Sequence, residues 1–92
     1  IVHVHGVNDA TVPIAGRQLR SGMRQGDLYK SLARMAPACG ERLGAPVIEG
    51  ALSCRIAACE GSRLEVCLHA GAHDLDAAWV TRAWRLAFPA QR

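Results

Sequence analysis

Aromatic side chains are scarce in this chain: Tyr29, Trp79, Trp84 and Phe88 are the whole complement. A surface that stacks nucleobases needs aromatics interleaved with a basic stripe, and the sequence has no such stripe. Charge of one sign is not in excess either, since eleven basic residues stand against eight acidic ones for a net +3. The arginines are scattered, with Arg17, Arg20 and Arg24 ahead of the first expected helix and Arg82 and Arg85 on the last. This describes a solvated, mildly basic surface and argues against nucleic acid as a partner. No run approaches the roughly 18 apolar residues of a membrane-spanning helix. The cysteines do not fall into two CxxC pairs, which argues against a zinc knuckle. Internal repeats and low-complexity stretches are missing. So is any G-x-S-x-G: Ser21, Ser31, Ser53 and Ser62 all lack the setting of a strand-to-helix nucleophile elbow.

What is present suffices for an ordered core, because half of the residues are apolar. Ninety-two residues allow one domain at most. The chain opens directly on an alternating strand pattern, Ile1-Val2-His3-Val4-His5, and its N-terminus is read as a break point. Four cysteines, Cys39, Cys54, Cys59 and Cys67, permit three pairings if all are bridged. At least one disulfide is expected, joining Cys39 to Cys54 or Cys59, and oxidation would imply a secreted or periplasmic location. Cys67 falls mid-strand, where it reads as a small buried hydrophobe.

The pattern along the chain is strand, helix, hairpin, helix. Val2 and Val4 share one face of the first strand; Ile1, His3 and His5 share the other. Residues 14–26 read as an exposed connection. A helix is expected over residues 27–36, with Asp27 as N-cap, a stripe of Leu28, Leu32, Met35 and Ala36, and Pro37 as the stop. Residues 37–50, rich in Pro and Gly, read as a second connection. Strands over 51–59 and 63–69 flank Glu60-Gly61-Ser62 as a hairpin, with a break allowed near Ala57 and Ala58. In the second helix Asp76 is the N-cap and Leu75 is placed to staple onto Val80. Val80, Ala83, Trp84, Ala87 and Phe88 form its apolar stripe, with Trp84 in the core, and Pro89 ends it.

Two short segments carry the chemistry. Asp9 follows the first strand in the turn His5-Gly6-Val7-Asn8-Asp9-Ala10-Thr11-Val12-Pro13. An Asp there either makes an Asx-turn or aims its carboxylate at the sheet edge where catalytic groups collect in open α/β sheets. His73 follows the last strand in Gly71-Ala72-His73, ahead of a capped helix. It is either an exposed bystander or a general base. Taken together, the two are a carboxylate and an imidazole that each follow a strand, in the order Asp then His expected of an α/β-hydrolase triad. His3 and His5 form an H-x-H pair that could bind zinc with His69 as a third ligand; otherwise His3 is a sheet histidine and His5 ties down the loop. Trp79 lies off the apolar stripe near the His73 loop, where it either lines a substrate pocket or simply packs.

His5-Gly6, Asp9 and Val12-Pro13 resemble the HG-x-x-D-x-x-VP segment of α/β-hydrolases, and Gly71-Ala72-His73 resembles the segment carrying the triad base. Within that superfamily the pattern is most similar to secreted polyhydroxybutyrate depolymerase and feruloyl-esterase-like proteins. The resemblance implies an α/β fold in which residues 1–92 are the C-terminal segment of a single hydrolase domain with an incomplete sheet. Asp9 would be the triad acid and His73 the base, with the nucleophile and oxyanion hole upstream. It implies a serine carboxylic-ester hydrolase acting on a small-molecule or polymeric ester, with no cofactor and no metal, and inactive as this piece alone. Where the depolymerase-like pattern often continues into Trp-Pro, this chain has Asp74-Leu75-Asp76, which counts against a polymer. The alternatives are a peptidase or dienelactone-hydrolase-like member, or a non-catalytic protein that keeps the fold for binding.

Overall fold

The computed structural model describes residues 1–19, 22–37, 39, 43–59 and 62–88. Its elements are β1 (Val2–Gly6), β2 (Arg17–Gln18), β3 (Arg24–Gln25), α1 (Leu28–Met35), β4 (Val47–Glu49), β5 (Leu52–Cys59), β6 (Ser62–His69) and α2 (Ala77–Ala87). The content is mixed α/β. One four-stranded sheet runs in the order β1-β6-β5-β4, and β2 pairs with β3 in a separate ladder. β1 lies parallel to β6, while β5 is antiparallel to both β6 and β4.

Strand alternation divides the core between the two faces of the sheet. Leu64 and Val66 of β6 and Ala57 of β5 pack with Leu28, Leu32 and Ala36 at α1. Burying each leucine or valine in such a cluster contributes about 1.5–3 kcal/mol. Cys67, Cys54 and Leu52 form a smaller cluster on the other face, joined by Val4 and by Trp79 of α2. Both helices start as the sequence suggests. An Asp27 carboxylate oxygen accepts the Lys30 amide at 3.1 Å and an Asp76 oxygen accepts the Ala78 amide at 2.8 Å.

Several expectations need correction. Met35 projects outward rather than joining the α1 stripe, and no residue of α2 is fully buried. The helix turns Trp79, Arg82 and Ala83 partly inward, at positions i, i+3 and i+4. Trp84 is 64 % exposed and therefore not a core residue. The apolar stripe instead lines an open groove of about 750 Å³ with Ile1, Val2 and Met35. Leu75 and Val80 are likewise exposed, so no buried staple forms. The first connection holds the short β2–β3 ladder, and the second holds β4, whose three residues are all exposed and show no inward-outward pattern. Gly50, with φ of 59°, begins the two-residue turn between β4 and β5, where a II′-type hairpin needs positive φ. β5 runs without a break through Ala57 and Ala58. The expected turn at Glu60 and Gly61 and the stop at Pro89 lie outside the described residues, as do Arg20 and Ser21.

Two disulfides are present. Cys39–Cys59 is one of the pairings anticipated; the other joins Cys54 to Cys67, so Cys67 is not a free buried thiol. The difference is one of register. A three-residue turn over 60–62 would set Cys54 opposite Leu68, whereas β6 begins at Ser62 and places Cys54 directly across from Cys67.

Candidate active site

The site grows from the parallel pairing of β1 with β6. That register sets Gly6 beside His69, so both strands end at the same sheet edge and their loops leave side by side. Backbone bonds then lock the loops together. The Val7 amide donates to the His69 carbonyl at 2.9 Å and the Asn8 amide to the Gly71 carbonyl at 3.0 Å. The Asn8 side-chain amide adds a bond to the Ala70 carbonyl at 2.8 Å. Gly6 permits this approach, because a Cβ there would overlap the carbonyl oxygens of Ala72 and Gly71.

Asp9 is buried and uses both carboxylate oxygens. Oδ1 accepts the Thr11 amide at 2.9 Å and the Val12 amide at 2.7 Å, while Oδ2 faces His73 Nδ1 at 2.7 Å. The Asx-turn and the imidazole contact, posed by the sequence as alternatives, are made by one carboxylate. Burial opposes its ionisation. The Val12 amide, the hydrogen bond and charge of His73, and the Thr11 amide outweigh that, and the carboxyl stays below its ordinary range.

A carboxylate can only accept, so Nδ1 of His73 carries the proton and donates it to Asp9. A neutral ring then keeps its lone pair on Nε2. The His73 side chain is 61 % exposed and Asp9 only 4 %. The imidazole therefore presents itself outward while the carboxylate is sequestered. Nε2 meets no hydrogen-bond partner among the described residues. The pair borders a cleft of about 400 Å³ lined by His3, Val4, His5, Gly6, Val12 and Leu75 among others. The larger apolar groove along α2 is lined by neither Asp9 nor His73.

His5 ties down the loop, as one reading of the sequence suggested. Its Nε2–H donates to the Val12 carbonyl at 2.5 Å, which leaves Nδ1 to accept from His3 Nε2 at 3.0 Å. Burial, and after it the electrostatic influence of His5, push the His3 pKa below its ordinary value. The three-histidine zinc set is not assembled. His3 and His5 bond to each other, while His69 stands on the opposite face of the sheet against Trp79, with ring centroids 4.5 Å apart. Among the described residues one group has ligand-type atoms close together, Cys54, Glu65 and Cys67, but its two sulfurs are joined in a disulfide. Trp79 packs on the second core cluster and is not among the residues lining the Asp9–His73 cleft. The clamp made by Asn8 was not singled out from the sequence; its only signal was the Asn-Asp turn pair.

No protein-family model, no curated protein and no solved structure matches this chain.

Proposed function

We propose that residues 1–92 supply the acid and base of a serine carboxylic-ester hydrolase of the α/β-hydrolase type. The observation that carries this is the buried Asp9 carboxylate holding Nδ1 of an exposed His73 at 2.7 Å, on loops from adjacent parallel strands. In this reading Nε2 of His73 removes the proton from a serine hydroxyl as it attacks the ester carbonyl, then returns it to the departing alcohol. Asp9 stays ionised, orients the ring and stabilises the imidazolium. Water repeats the sequence on the acyl-enzyme.

Among the described residues, no serine lines the cleft at His73. The nucleophile and oxyanion hole therefore belong, in this proposal, to chain beyond residues 1–92. Among the described residues, β1 is an edge strand of the sheet, and in this proposal a further strand pairs with its outer side. The two disulfides favour an oxidising, secreted or periplasmic setting.

The test is hydrolysis of 4-nitrophenyl acetate and butyrate by the product of the complete reading frame containing residues 1–92. An organophosphonate label should be used to find the nucleophilic serine. Asp9→Asn is expected to lower kcat by about 10⁴-fold, with His73→Ala at least as severe. The 92-residue chain alone should give no turnover. Unchanged activity in His73→Ala, or turnover by the isolated piece, would overturn the proposal. Peptide and lactone substrates run alongside separate an esterase from a peptidase or a lactone hydrolase.

A further inference from the structure

His69 lies at the end of β6, four residues before His73, and is 6 % exposed. Its ring is used on one side only. Nδ1 accepts the Gly71 amide at 3.1 Å. Nε2 is buried with no hydrogen-bond partner among the described residues, and an Asp74 carboxylate oxygen lies 3.8 Å away. An amide can only donate, so Nδ1 must be unprotonated, and in a neutral ring the proton sits on Nε2. Leaving a buried N–H unsatisfied is unfavourable.

The amide it holds lies within the turn that aims His73. The Gly71 carbonyl accepts from the Asn8 amide of the Asp9 loop, and the His69 carbonyl accepts from the Val7 amide. The Gly71 peptide links are therefore fixed from both directions, by β1's loop on one side and the His69 ring on the other. A Cβ on Gly71 would sit 2.9 Å from His69 Nδ1 and 2.9 Å from Asp74 Oδ1, so both side chains would have to shift to admit it. Trp79 lies against the ring, with centroids 4.5 Å apart and the two planes tilted by 36°.

We propose that His69 is a positioning residue whose Nδ1 lone pair, by holding the Gly71 amide, sets the Asp9–His73 hydrogen bond. The inference rests on the function proposed above for its catalytic consequence, but its structural claim can be measured without turnover. It requires an acceptor at Nδ1 and nothing from Nε2. Asn places a carbonyl oxygen close to the Nδ1 position and has no atom in place of Nε2, whereas Leu fills similar space without an acceptor.

The experiment compares His69→Asn and His69→Leu in the full-length protein. Two quantities are read: the low-field proton resonance of His73 Nδ1–H bonded to Asp9, and kcat with KM. His69→Asn should retain the resonance and stay near wild-type kcat. His69→Leu, with its fold checked by circular dichroism, should lose the resonance and about 100-fold in kcat, with KM little changed. Retention of the resonance in His69→Leu would overturn the proposal. So would equal loss in both variants, which would assign the effect to ring packing on Trp79. Absence of esterase activity in the wild type would instead fail the function proposed above, and the resonance would still decide the role of His69.

Discussion

Asp9 divides its labour between two oxygens: Oδ1 shapes its own loop through two amides, and Oδ2 reaches across to another loop. Gly6 serves the same junction by having no side chain. Its substitution by Ala forces a Cβ into the carbonyls of Gly71 and Ala72, and the loops must separate to admit it. Gly6→Ala is expected to destabilise the fold by about 1–3 kcal/mol, the range for overpacking. Urea denaturation checks the stability change. The same variant should weaken the Asp9–His73 hydrogen bond, so that the His73 Nδ1–H resonance broadens or disappears. At this scale the sequence was informative, since Asp9 and His73 were chosen from type and setting, and the structure brings them into contact. His69 was less legible. Its part depends on which ring nitrogen faces Gly71, and side-chain spacing carries no information about that. Trp84 misled, because helical periodicity identifies an apolar stripe without saying which neighbour covers it.

At the scale of elements, α2 is anchored to the sheet by charge as well as by Trp79. Glu65, fully buried on β6, pairs with Arg82 of α2, whose other nitrogen reaches Glu49 of β4 at 2.8 Å. Arg63 adds a bond to Glu65 at 3.1 Å. Removing one partner leaves a buried charge uncompensated, which typically costs about 3–5 kcal/mol, whereas an apolar replacement of both can be neutral. Arg82→Met should therefore fall near the lower end, with Arg63 retained, and Glu65→Leu combined with Arg82→Met should recover most of the loss. A double-mutant cycle in urea measures both. The disulfides close segments of similar length, with sequence separations of 20 and 13. Replacing either pair with serines is expected to lower stability by about 3 kcal/mol, read from the shift in the denaturation midpoint. The Cys54–Cys67 bond escaped the sequence because one residue in the assumed turn length changes every cross-strand partner. β4 escaped for another reason, since three exposed residues between Pro46 and Gly50 carry no alternation to detect.

For the whole molecule, pH acts through groups whose pKa values fall on folding. His3 titrates below its ordinary 6.5 because burial and His5 disfavour its charged form. Between that value and the folded one, the unfolded chain binds the extra proton. The His3 contribution is therefore complete above about pH 6.5 and lost as pH falls through its folded pKa. Asp9 and Glu49 also lie below their ordinary values of 3.8 and 4.5. For Asp9, burial is outweighed by its amides and His73; for Glu49, the Arg82 hydrogen bond dominates. Their contributions are held above those values and lost in stronger acid. Stability should thus fall in two stages on acidification. His3→Gln should flatten the first stage and leave the second, as urea midpoints measured from pH 8 to pH 3 would show. The mixed α/β character and the placement of both catalytic candidates after strands were legible in the sequence. The open groove along α2 was not, because it depends on how helix and sheet are set against one another.

The pairing of β1 with β6 also orders events in time. β5 and β6 adjoin in the chain and can zip locally, whereas β1 must return across about sixty residues to meet Glu65 and Val66. Closing that span rather than the 13-residue span of Cys54–Cys67 costs about 1–2 kcal/mol more in chain entropy, and contacts of high sequence separation form slowly. An oxidised hairpin can therefore exist before Asp9 has met His73. The hydrogen bond between them then records completion of folding, since it appears only when the two most distant parts of the sheet have found each other.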